Sequence, residues 1–131
     1  MTDLAGRARR ERSAGAPGEL FTCAEQSLGS NGVVVFLSGE LDVTSAPDLR
    51  RRVIQLLGLP LEAVTLDLGG LTFLDATGLS AVLASQQAVE ERGVPFALAN
   101  VSRSARRVME ITGTDDGFRI VEGEHLPDRS G

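Results

Sequence analysis

Five consecutive apolar residues, Val33-Val34-Val35-Phe36-Leu37, constrain this chain more than any other segment. Three of the five are β-branched, and the run has no polar side to turn toward water. That suits a strand buried on both faces at the centre of a sheet. The run is far too short to span a bilayer. Gly29-Ser30-Asn31-Gly32 precedes it. The Asn-Gly pair predicts a hairpin turn with positive φ angles, and Phe21 to Ser27 alternates enough to form the partner strand. Cys23, the one cysteine of the chain, is expected to pack beneath this pair as a structural residue. A single cysteine allows neither an internal disulfide nor a cysteine-rich metal site.

Behind the hairpin the pattern alternates between helix and strand. Ser45-Ala46-Pro47-Asp48 reads as a helix start, with Ser45 as cap, Pro47 in the first turn and Asp48 at the positive end of the dipole. Leu49, Val53, Leu56 and Leu57 then make one apolar face, Arg50, Arg51, Arg52 and Gln55 point outward, and Gly58 and Pro60 end the helix. Ala63 to Leu68 is a third strand. Gly69-Gly70 follows it, and Leu71-Thr72-Phe73-Leu74 leads to Asp75. A second helix is expected from Thr77 to about Arg92, with Leu79, Val82, Leu83 and Val89 inward and Gly93 just past its end. Val94 to Ala99 is a fourth strand. Ser102 caps a third helix whose buried side is expected to hold Ala105, Val108, Met109 and Ile111, with Gly113 closing it; Gly117 to Val121 is a short final strand.

The order β-β-α-β-α-β-α-β predicts a single α/β domain, a small mixed sheet of about five strands with helices packed on it. A length of 131 residues and a mass of 13.8 kDa fit one domain. The domain is expected over 19–124, preceded by a solvated tail over 1–18 that folding can do without, and followed by a short tail over 125–131. The first tail carries Arg7, Arg9, Arg10 and Arg12 against Asp3 and Glu11 and has no apolar periodicity. It has no apolar core of a secretion signal either, which fits a cytoplasmic protein.

Composition removes several kinds of chemistry. The chain has no lysine, so a phosphate-loop lysine and a Schiff base are excluded. Its one histidine, His125, lies in the expected C-terminal tail, from which a serine or cysteine nucleophile would have to recruit it. Trp and Tyr are absent and the net charge is −5, which disfavours nucleic acid and anionic membrane as partners. Without the first tail, nine arginines face sixteen acids. These features favour a binding module over an enzyme, with no catalytic residue, metal or cofactor assigned.

Two segments carry the most information, and both leave a strand to enter a helix. Leu71-Thr72-Phe73-Leu74-Asp75-Ala76-Thr77-Gly78-Leu79 places Asp75, Ala76 and Thr77 around a helix N-terminus, where unpaired N–H groups and the dipole favour a cap or a phosphate. Leu37-Ser38-Gly39-Glu40-Leu41-Asp42, with Thr44-Ser45-Ala46-Pro47 behind it, ends on the same edge of a parallel sheet. Asp42 and Asp75 are thereby candidates to approach each other. A carboxylate pair can serve acid–base chemistry or a metal, but with no histidine or third acid nearby, turn-forming acids are the preferred reading.

Gly39-Glu40-Leu41-Asp42, Ser45-Ala46-Pro47, the segment from Leu71 to Leu79, and Arg106-Arg107-Val108-Met109-Glu110-Ile111-Thr112-Gly113 together resemble the bacterial anti-sigma factor antagonists, which are STAS-domain proteins. The resemblance covers about residues 19 to 122, with all blocks in order. It implies a partner, an anti-sigma factor that is also a serine/threonine kinase of the histidine-kinase-like ATPase fold. Binding frees a sigma factor, phosphorylation of the antagonist ends binding, and a phosphatase restores it. It also implies a partner-binding surface at Asp42, Thr44, Asp75, Ala76, Thr77, Gly78 and Leu79. In the family the phosphoacceptor is the hydroxyl residue directly after the aspartate. Here that residue is Ala76, and Thr77 follows one place later. The sequence leaves two readings open: an antagonist that its kinase does not switch off, or phosphate on Thr77 in a shifted geometry. The first is preferred, because one residue at a helix start turns the side chain by ~100°. The same fold also serves modules that bind a small ligand or belong to a separate transporter or signalling complex, and that is the alternative function.

Overall fold

The structure is a computed structural model that describes residues 20–29 and 31–121. The tails expected over 1–18 and 125–131, His125, Ser30 and the expected domain limits at 19 and 124 lie outside the described residues. Strand β1 (Thr22–Leu28) pairs antiparallel with β2 (Gly32–Leu41), with Cys23 opposite Leu37 and Leu28 opposite Gly32. Three residues therefore separate the last pair, so the two-residue Asn-Gly geometry does not apply. Gly29 supplies a positive φ (62°), and Gly32 does not.

From β2 the chain steps across the sheet in one direction: α1 (Ala46–Leu56), β3 (Ala63–Leu74), α2 (Ala76–Glu90), β4 (Phe96–Ala99), α3 (Arg103–Thr112), a 3-10 turn (Asp115–Gly117) and β5 (Ile120–Val121). The strand order is β1-β2-β3-β4-β5, and β2 to β5 are parallel. The α/β order and five-stranded mixed sheet expected from the sequence are the observed ones. Right-handed crossovers that advance in one direction put their helices on one face of the sheet. On that face Val35, Leu37 and Leu66 join Leu49, Leu79 and Met109 in one buried core. Cys23 is half-buried and packs against it. At the open edge, Arg52 of α1 reaches Glu25 of β1 (2.7 Å). No helix among the described residues is long and apolar enough to cross a membrane.

Several local expectations need correction. The Gly69-Gly70 pair does not end the third strand: β3 runs through it for 12 residues by means of bulges, the usual place for glycine inside a strand. Strand β4 begins at Phe96 rather than Val94, since Pro95 has no N–H to give the ladder; its carbonyl accepts from Val64 N (3.0 Å). Among the described residues the final strand begins at Ile120 rather than Gly117, because Asp115–Gly117 closes into a turn. Ile111 does not join the buried side of α3. It is 75% exposed, whereas Met109 is fully buried, and two helical residues lie ~200° apart around the axis.

Candidate functional site

Both polar turns singled out in the sequence leave adjacent parallel strands, and their last residues are in register: Leu41 pairs with Leu74. Asp42 and Asp75 are the next residue in each case, so the sheet delivers the two turns side by side at one edge. Gly78 locks them together. A Cβ on Gly78 would lie 2.3 Å from the Leu41 carbonyl oxygen and 2.9 Å from its carbon, so the first turn of α2 rests on the last residue of β2. Only a glycine permits that approach.

The two aspartates do different work. Asp75 is the N-cap of α2, in extended conformation, and its Oδ1 accepts from Gly78 N (2.8 Å). The helix therefore begins at Ala76, one residue before the expected Thr77, with Asp75 as its cap. Asp42 lies three residues ahead of the N-cap of α1. Its Oδ1 accepts from Thr44 N (3.0 Å) and Ser45 N (3.2 Å), folding the chain back on itself before the helix starts. Ser45 occupies the N-cap position but does not cap with its side chain. It is fully buried, and its Oγ instead accepts from Asp42 N (3.0 Å) and donates to the Glu40 carbonyl (2.7 Å). That use of the hydroxyl stitches the turn to the end of β2. Each carboxylate is thus engaged by its own turn. Among the described residues, no group of three or more His, Cys, Asp or Glu side chains could hold a metal ion.

The sequence-selected residues divide by exposure. Thr44, Ala76 and Thr77 are exposed, and Asp42 and Asp75 are partly so. Gly78 and Leu79 are buried, Leu79 within the core. These two hold the edge from beneath, and its accessible atoms belong to their neighbours. Two exposed apolar residues escaped the sequence reading. Val43, in the turn itself, is 68% exposed, and Phe73, two residues before Asp75, is 47% exposed. The available signal was an apolar side chain in a segment otherwise built for a polar turn. The edge thus combines one apolar projection, Val43, with two partly exposed carboxylates and the N-terminus of a 15-residue helix, and Phe73 is exposed on the strand just before it. Such a surface suits contact with another protein.

The family model of the STAS domain matches residues 25–126. An anti-sigma-B factor antagonist of Bacillus subtilis (strain 168) is 33% identical over 88 residues, spanning 66% of this chain and 78% of the relative. Among solved structures, an anti-sigma factor antagonist from Mycobacterium paratuberculosis is 25% identical with a TM-score of 0.68, covering 76% of this chain and 84% of that one. The anti-sigma factor antagonist SpoIIAA in its unphosphorylated form shares the fold at 20% identity, with a TM-score of 0.67 over 79% of this chain and 90% of that one. With the family model matching residues 25–126, well over half of the chain, the chain belongs to the STAS domain family.

Proposed function

We propose that this chain is a cytoplasmic anti-sigma factor antagonist: it docks on an anti-sigma factor and so releases a sigma factor. It acts by binding rather than by catalysis. The observation that carries the reading is the junction of the two turns, with Leu41 level with Leu74 and Gly78 seated on Leu41. It supports an edge on which Val43, Thr44, Ala76 and Thr77 are presented together. Val43 and Phe73 would supply the apolar anchor, and Asp42 and Asp75 the charge. The complementary partner surface has an apolar pocket with basic residues at its rim.

The partner we infer is an anti-sigma factor that is also a kinase of the histidine-kinase-like ATPase fold. Its usual target position is filled by Ala76, which has no hydroxyl to accept phosphate. Thr77 is exposed but sits one residue further round the helix start. We therefore take the native protein to be an antagonist that its kinase does not switch off. A phosphate at this edge would add nearly two negative charges beside Asp75, enough to disfavour docking.

The test begins with co-purification and mass spectrometry to identify the partner. Wild type, Ala76→Ser and Thr77→Val are then incubated with that partner and ATP and weighed. The expected result is phosphate on Ala76→Ser alone. Phosphate on wild type and not on Thr77→Val would make Thr77 the acceptor. Absence of phosphate on Ala76→Ser would remove the kinase from the account.

A further inference from the structure

Strand β3 spends two more residues than β2 in climbing to the edge. Phe36 pairs with Asp67, Ser38 with Gly70, and Glu40 with Phe73. Where β2 uses Leu37, β3 uses Leu68 and Gly69, and it then inserts Thr72 as well. One inserted residue turns all later side chains to the opposite face of a sheet, and a second restores them. The pair of bulges also sets height. Without them Leu41 would lie opposite Thr72, and Asp75 would stand about 7 Å further along, at two residues of strand rise.

Asp67 occupies the last regular rung before the first bulge and is fully buried. Its Oδ1 accepts from Gly69 N (2.8 Å), an amide of the bulge itself. Its Oδ2 accepts from Asn100 Nδ2 (2.7 Å). Asn100 follows Ala99, the residue of β4 that pairs with Asp67, and takes a left-handed φ of 54°. Asparagine tolerates that conformation better than most residues other than glycine. One buried carboxylate therefore ties the bulge in β3 to the end of β4. A buried carboxylate costs stability unless it is well hydrogen-bonded, so an apolar rung would be the simpler construction if only packing were at stake.

We propose that Asp67 and Asn100 form a positioning pair that holds the first bulge of β3 and so sets the start of α2 level with the Asp42 turn. The functional consequence rests on the reading of that edge as the docking surface; the structural claim does not.

The experiment is residue-resolved amide hydrogen exchange on the full chain, comparing wild type with Asn100→Asp, Asn100→Gly and the double variant Asp67→Asn/Asn100→Asp. Asn100→Asp sets two carboxylates against each other. Asn100→Gly removes the donor but keeps the left-handed backbone available. The double variant restores one donor and one acceptor in exchanged order. Each single variant should speed exchange at Gly69 and Gly78 roughly tenfold or more, with protected amides of α1 changing less than about threefold. The double variant should return both sites to within about threefold of wild type. Uniform acceleration throughout the sheet would overturn the proposal, as would a double variant no better than Asn100→Asp. If Asn100→Asp does not fold, Asn100→Gly decides, and unchanged exchange at Gly69 and Gly78 overturns the proposal. If those amides respond as expected while Asn100→Gly binds the partner as wild type does, the positioning pair stands and the docking-edge reading falls.

Discussion

The chain starts two helices from neighbouring parallel strands, each with an aspartate at the strand end, and builds them on different principles. At α2 the strand runs straight into the helix: Asp75 caps it, and Gly78 is pressed against the Leu41 carbonyl. At α1 three residues intervene, and a turn closed by Asp42 and the buried Ser45 hydroxyl carries Val43 and Thr44 outward. The first start is fixed by contact with the backbone of β2. The second is fixed by its own side-chain hydrogen bonds. The difference separates support from presentation: α2 is anchored without room to adjust, and the α1 turn exposes groups at its side.

The sharpest break in that comparison comes from Gly78→Ala. The added methyl meets backbone atoms that cannot move aside, so denaturant unfolding should show a loss of about 1–3 kcal/mol. Thr44→Ala in the other turn should change stability by less than about 0.5 kcal/mol, because only its backbone N–H takes part in the turn.

On binding, Thr77→Asp should weaken the partner complex roughly tenfold or more, as a charge introduced at the edge beside Asp75. Arg50→Glu, on an exposed position of α1, should leave titration calorimetry within about twofold of wild type. Equal losses from both would place the docking surface elsewhere.

Smaller effects sharpen the roles of the aspartates. Asp75→Ala removes the cap of α2 and should cost about 1 kcal/mol in thermal or chemical unfolding. Asp42→Asn keeps an oxygen acceptor for Thr44 N and Ser45 N, so its cost should stay below about 1 kcal/mol. If Asp42→Asn were the more damaging of the two, the α1 turn and not the capped start of α2 would be the rigid element.

What the sequence made legible follows from which signals are local. The apolar run at Val33 to Leu37, the helix face of Leu49 and Val53, and the Asp75 helix start are patterns of a few residues, and each identifies its element. The positive φ at Gly93 and Gly113 likewise sits where helix ends were expected. Features set by a neighbouring strand were not legible. Gly69-Gly70 looked like a break because a bulge and a chain reversal use the same residue type, and only the pairing with β2 distinguishes them. Ser45 looked like a cap because the competing acceptor, the Glu40 carbonyl, comes within reach only after the turn has folded. Ile111 seemed buried on helical spacing, yet no described element covers that side of α3. The two turns were expected on one edge from topology alone. That they touch through Gly78 is a tertiary fact, as is the link from Asp67 to Asn100 across two strands.

The central claim is that the partner docks on the edge where these two helix starts meet. The most direct test records amide chemical shifts of the isotopically labelled chain with and without the anti-sigma factor that co-purifies with it. The account predicts that the largest changes fall on Asp42 to Ser45 and Asp75 to Ser80, with Arg50 to Ile54 and the far end of the sheet at Gly93 little altered. Largest changes on the exposed face of α1 or on α3 around Arg106 and Ile111, with the two turns unperturbed, would contradict it.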